Sequence, residues 1–276
     1  MGILRGGLIA LASLILFISL LLGNIFLIIS LSLDYDTINP ELTKITTDIA
    51  NNEANINQII ETSHPLMIEA CKNQTEIQLT NYSLPYSYSI PCGTIEEGPS
   101  EIINDTIEKI IEKAYYKDYD CKFSECITDS PLYIISETNK NNLKSKFNKS
   151  LILSLILIAI IFVFVEKKRS TLTVAGIVMF LATLPLIKID YPIKIFSKTM
   201  GILPFTKQAG NYLSELLLLL FTKTQTVFNF SIALATMLIV LGIGLGFLKI
   251  LTKEKKFTKK DVEEIVEKKL SKEKKK

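Results

Sequence analysis

The residues in this chain whose type and spacing could do chemistry are four cysteines, Cys71, Cys92, Cys121 and Cys126, and that chemistry is disulfide formation. All four fall in one polar stretch, Asp34 to Phe147, and none lies in an apolar run or in the basic tail. An even set confined to one polar segment reads as a disulfide framework in an oxidising compartment. A zinc site would want a C-x-x-C pair or a second histidine, and the chain has neither, His64 being its one histidine. Three pairings are possible. The expected one is Cys121–Cys126, closing a short local loop, and Cys71–Cys92, tying a helix after His64 to the end of a hairpin.

Other chemistry is sparse. His64 stands in Ser63-His64-Pro65, an expected helix start, with no second histidine, acid pair or nucleophile at a recognisable spacing, so a capping or surface role is expected. Asn73-Gln-Thr75, Asn81-Tyr-Ser83 and Asn104-Asp-Thr106 match the N-glycosylation acceptor pattern and agree with an exported segment. There is no phosphate-binding glycine loop, no H-E-x-x-H and no G-x-S-x-G. No catalytic residue, cofactor or metal ligand is expected.

The elements that carry these residues are set by hydropathy. Of 276 residues 48% are hydrophobic, and they are bunched rather than periodic. Leu8 to Leu33 is interrupted only by Ser, Gly and Asn, and at about 1.5 Å per residue it exceeds a hydrocarbon core of roughly 30 Å. Leu151 to Val165 and Leu172 to Ile187 are shorter runs, and Phe230 to Leu251 is a full-length one. The expected fold class is therefore a mainly α membrane protein: four transmembrane helices and a mostly helical, disulfide-bonded extracellular domain with a small β-hairpin. Residues 1–33 read as a retained signal anchor, because the apolar core is too long for a cleaved signal and no small-residue cleavage site precedes Asp34. The spans after the four-cysteine domain (34–147) are expected at 148–166, 171–188 and 229–252, followed by a basic tail, 253–276.

Charge is segregated along the chain. Asp34 to Phe147 holds 19 acids and 9 lysines, a balance of −10, whereas Lys253 to Lys276 holds 11 lysines and 6 acids, a balance of +5. Arg5, the turn Glu166-Lys167-Lys168-Arg169 and the lysine tail all belong on the cytoplasmic side by the positive-inside rule. Both termini are then cytoplasmic in a plasma-membrane protein, and the acidic segment is outside, as is 190–229 despite its lysines.

Within the acidic segment, Asn39-Pro40-Glu41 has the grammar of a helix start, with Ile38, Leu42, Ile45, Ile49, Ile56, Ile59 and Ile60 as one apolar stripe. Alternation from Glu76 to Pro91 predicts a hairpin broken at Leu84-Pro85. A helix restarts at Ser100 with Ile102, Ile103, Ile107, Ile110, Ile111 and Ala114 on one side. The chain is expected to be helical from Lys140 straight into the second span, and Pro185 to kink or end the third. Tyr212 to Phe221 is apolar but too short to span, so an interfacial or re-entrant helix over 205–226 is expected. Gly242 and Gly246 form a small-xxx-small pair for close helix packing. Thr258 to Asp261 is a capping box opening an amphipathic tail helix suited to anionic headgroups or RNA.

In Leu33-Asp34-Tyr35-Asp36, Asn39-Pro40-Glu41 and the Tyr119-Asp120-Cys121 to Cys126 element, the chain resembles uncharacterised membrane proteins of small-genome archaea. That resemblance implies one anchor, a helical exported domain and a terminal cluster of spans, and no activity. The spans carry charges only at their ends, which argues against an ion-coupled carrier. The expected function is non-enzymatic: a receptor-like, adhesive or assembly subunit whose outer domain binds another membrane or cell-surface protein. A channel or transport component built by homo-oligomerised spans is the alternative, with a membrane-bound envelope enzyme third. Membrane lipid is an expected partner and DNA is not.

Overall fold

The computed structural model describes residues 2–52, 56–79, 88–121, 125–126, 131–165, 168–189, 195 and 215–251. Helix α1 (Gly2–Ser32) leads into a domain of α2 (Tyr35–Asn52), α3 (Ile56–Cys71), β1 (Glu76–Leu79), β2 (Tyr88–Pro91), α4 (Cys92–Glu97), α5 (Pro99–Tyr116) and a 3-10 turn, Pro131–Ile135. Helices α6 (Glu137–Phe164), α7 (Lys168–Thr183) and α8 (Thr224–Leu251) follow, with a second 3-10 turn, Leu184–Lys188, closing α7. Among the described residues, four helical stretches are long and apolar enough to cross a membrane: Arg5–Ser32, Glu137–Phe164, Thr171–Lys188 and Glu215–Phe247. Each overlaps one of the four apolar runs of the sequence, but the second starts well before Leu151, and the fourth takes in residues 215–226, expected to form a separate interfacial helix.

The four helices form two antiparallel pairs. Along α1 and α6, Arg5 Nε donates to the Phe164 carbonyl at one end, Ser19 meets Ser150 midway, and Ser30 Oγ reaches the Lys140 carbonyl at 3.4 Å towards the other. Helix α7 lies against α8, with Gly176 beside Ala235 and Ile239, and Leu186 beside Val227. Helix α1 joins the pairs, since Leu16 packs on Val178 and Ile28 on Leu186.

Burial along α1 shows two environments. Up to Leu22 one side of it looks outward, with Leu8, Leu11, Leu14, Ile15, Ile18 and Leu22 all at least 40% exposed, while Leu16 is fully buried on the other. From Gly23 to Leu33 only Leu31 is exposed, because Phe26, Ile29 and Leu33 enter a core shared with α2, α5 and α6. The single apolar run thus serves both as a lipid-length span and as part of a protein core.

That core crosses from one part of the chain to the other. Leu33, Ile38, Ile107 and Tyr115 are joined in it by Leu143 of α6 and by Leu219 and Leu220. The residues 215–220 are helical, turn at 221–223 and continue as α8, so the apolar stretch expected to lie at an interface packs here on the four-cysteine domain. The remainder of that expected helix, 205–214, lies outside the described residues, as do the tail 253–276 and its capping box.

Local expectations fare differently. The hairpin forms with Ile77 opposite Ile90, α5 buries Ile102, Ile103, Ile107, Ile111 and Ala114, and α6 runs unbroken through Lys140. Ser136 caps α6, its hydroxyl accepting from the Asn139 amide at 3.2 Å. Pro185 does end α7, which tightens to 3-10 at Leu184. Two helix starts need correction: Pro40 and Pro65 both lie inside helices rather than at their first turns. Helix α2 begins at the exit of α1, where the Asp34 carbonyl accepts from Thr37 and Ile38 at 2.9 Å each. Full burial of Ile38 outweighs the local preference of proline for the first turn.

Candidate functional site

Helix α3 lies at the surface of the four-cysteine domain. It has no buried residue. Its inner edge, Ile60, Met67 and Cys71, packs on Ile90, Ile95 and Ile102. Its opposite edge presents Ile59 at 60% exposure and Leu66 at 70%, two turns apart and so on one line of the helix. Exposed Thr62 and Glu69 continue that line. Ile59 belongs to the apolar stripe expected to face the core, and the structure turns it out.

Two bonds hold α3 in place. Cys71 is joined to Cys92, with Cα atoms 5.5 Å apart, which fixes its end to the turn between β2 and α4. His64 Nε2 donates to the Ile95 carbonyl at 2.7 Å, which assigns the ring proton to Nε2 when the imidazole is neutral. His64 is thus a latch between α3 and α4 rather than a cap at a helix start. The second bridge joins Cys121 to Cys126. Asn73 is exposed in the turn after α3, Asn104 is half-buried within α5, and Asn81 lies outside the described residues.

The domain is keyed to the long helices at one junction. The Tyr115 hydroxyl donates to the Leu33 carbonyl at 2.9 Å, and Lys140 pairs with Asp34 at 2.6 Å. Tyr35, Tyr115 and Tyr116 stack around this point with ring centroids 4.9 to 5.4 Å apart. Burial raises the Tyr115 phenol above its ordinary value, Glu137 and Asp34 add to the effect, and Lys140 opposes it. Tyr35 is raised by burial and then by Glu112 and Glu108. The Lys223 amide donates to Ser32 Oγ at 3.1 Å, tying the start of α8 to the end of α1.

Between the long helices the polar interruptions of the apolar runs find one another. Ser150 Oγ donates to the Ser19 carbonyl at 2.6 Å, Ser154 Oγ to Ser19 Oγ at 3.1 Å, and Ser231 Oγ to Asn24 Oδ1 at 3.1 Å. Polar groups of this kind are satisfied across helices because lipid offers no partner. Gly242 is buried and Gly246 half-buried, but the tightest approach seen in α8 is made by Gly176 of α7. A Cβ there would lie 2.7 Å from Ile239 Cγ1 and 2.9 Å from the Ala235 carbonyl oxygen. Sequence reasoning missed Gly176, since a lone glycine in an apolar run carries no spacing signal.

A cleft of about 420 Å³ separates α2 from residues 215–222, with Glu41, Lys44, Asp48 and Glu215 at its rim over Leu218 and Leu219. Among the described residues no group of three or more His, Cys, Asp or Glu side chains is placed to hold a metal ion. The arrangement offers a braced, partly apolar surface at α3 and a rigid connection to the long helices. Searches against protein-family models, curated proteins and solved structures return no match to this chain.

Proposed function

We propose that this is an integral membrane protein of the cell surface whose four-cysteine domain stands outside the plasma membrane and binds a protein partner through α3. The observation that carries the reading is the α3 face: Ile59 and Leu66 are 60% and 70% exposed on a helix braced by a disulfide. Exposed apolar side chains on a rigid support are what protein partners bury, and the excess of acids in the domain favours a basic one. The orientation rests on charge. Arg5, Lys168 and the end of α8 gather at one end of the two antiparallel pairs, the arrangement that the positive-inside rule makes cytoplasmic.

A membrane-impermeant crosslinker on intact cells tests both parts of the proposal. The full-length protein is expected to be captured with a discrete partner, and Ile59→Ser with Leu66→Ser to lose that product while keeping both disulfides. Crosslinking only after permeabilisation overturns the orientation. An unchanged product from the double variant overturns the role of α3.

A further inference from the structure

On the four-cysteine side of the molecule, three of the long helices change to apolar on their outward faces, two of them from charged or polar residues. On α6 the outward residues Leu151, Ile152, Leu153, Leu155 and Ile156 are 44 to 59% exposed, and immediately before them come the exposed Lys149, Lys146 and Lys144. On α8 the same change occurs between the exposed hydrogen-bonded pair Gln225 and Asn229 and the 64% exposed Phe230. On α1 it occurs at Leu22, beyond which the helix is wrapped by protein. These three points lie at one level. A Cβ on Gly23 would meet Ser150 Oγ at 3.0 Å, and Asn24 is bonded to Ser231.

The lysines are spread over the exposed side of α6, opposite Leu143 and Ser150. Each stands two turns before an exposed apolar residue of the same row: Lys144 before Leu151, Lys146 before Leu153 and Lys149 before Ile156. They therefore continue the lipid-facing surface into the headgroup layer, where an aliphatic stem lies along apolar surface and the ammonium reaches outward. Lys146 differs in that its Nζ lies over the Phe26 ring of α1, 5.9 Å from the centroid, so its ammonium sits at the seam of α1 and α6. Lys140, one turn further from the boundary, is held by Asp34 and belongs to the junction instead.

We propose that Lys144, Lys146 and Lys149 form a collar that binds the phosphates of anionic lipid headgroups in the leaflet next to the four-cysteine domain. The collar stands apart from α3 and rests on the membrane reading of the four helices, not on which side of the cell the domain faces. It gives an otherwise acidic domain a cationic rim at the height where lipid phosphate lies, so that the domain is held upright on the bilayer rather than repelled by it. Each ammonium near a charged bilayer surface gives a preference of about fivefold for anionic lipid at moderate ionic strength.

The test is spin-label electron paramagnetic resonance of the lipids that contact the full-length protein in bilayers. Nitroxide phosphatidylglycerol and nitroxide phosphatidylcholine are compared for wild type and for K144Q/K146Q/K149Q. The variant is expected to lose most of the selectivity for phosphatidylglycerol, with its disulfides intact and its thermal midpoint in neutral detergent unchanged. A second variant with glutamine at Lys255, Lys256, Lys259 and Lys260 separates the collar from the tail: its loss of selectivity should add to that of the collar. Equal selectivity in wild type and the collar variant overturns the proposal. So does abolition of the selectivity by millimolar inorganic phosphate, which would make the collar a soluble-anion site.

Discussion

At the residue scale, the Tyr115 hydroxyl marks the point at which the four-cysteine domain and the long helices become one body. Its bond to the Leu33 carbonyl is buried, so Tyr115→Phe leaves a carbonyl without its partner and is expected to cost about 1–2 kcal/mol. The same residue sets a pH limit. A phenol whose folded value is raised above the unfolded one, near 10, contributes its full stability below that pH. That contribution is lost as pH rises through the folded value, because the unfolded chain then gives up its proton more readily. Thermal midpoints in detergent should therefore fall more steeply above pH 10 for wild type than for Tyr115→Phe, and parallel curves would remove Tyr115 from the junction. Tyr35, raised in the same direction, keeps some alkaline sensitivity in the variant.

At the element scale, the α7–α8 pair depends on a missing side chain. A Cβ at Gly176 would press on the backbone of Ala235 and Ile239, and backbone cannot swing aside as the tip of a side chain can. Gly176→Leu is expected to separate the helices and lower stability by about 1–3 kcal/mol. Gly244, with nothing within 4 Å of a Cβ, accepts alanine without loss, and the pair of variants compared by thermal denaturation isolates packing from helix propensity. Small residues matter here because helices in lipid gain no hydrophobic free energy by associating and rely on close contact.

At the scale of the whole molecule, the domain and the long helices share one core, which changes what a truncation does. Expressing Asp34 to Phe147 alone removes Leu33, Leu219 and Leu220, together with Phe26 and Ile29, from around Ile38, Ile107 and Tyr115. The fragment is expected to be compact but loosely packed, with strong binding of a hydrophobic dye and broad amide resonances, although both disulfides form. A well-dispersed spectrum from the fragment would show that the shared core is dispensable. The same continuity makes α6, helical from Glu137 to Phe164 without a break, a stiff strut between the domain and the far side of the bundle.

The sequence alone determined the four long apolar helices, the hairpin and the inward face of α5, and it narrowed the cysteines to three pairings, of which the structure has the expected one. Each of these is a local signal: run length against bilayer thickness, cysteine spacing, or a period of two or 3.6 residues. It also marked Ser and Asn as the polar interruptions of the first run, without saying that Asn24 would bond Ser231 across more than 200 residues of chain. Tertiary structure decided the rest. Whether the outer turns of α1 meet lipid or protein depends on α2, α5 and residues 215–220 arriving there, and Leu22 and Phe26 are equally apolar on the page. Likewise Ile59 and Ile60 are adjacent and chemically identical, and only the docking of α3 on Ile90 and Ile95 leaves one outside and brings the other in. Periodicity names the faces of a helix, but which face is covered is settled by what packs against it, because burial is a property of two surfaces and not of one.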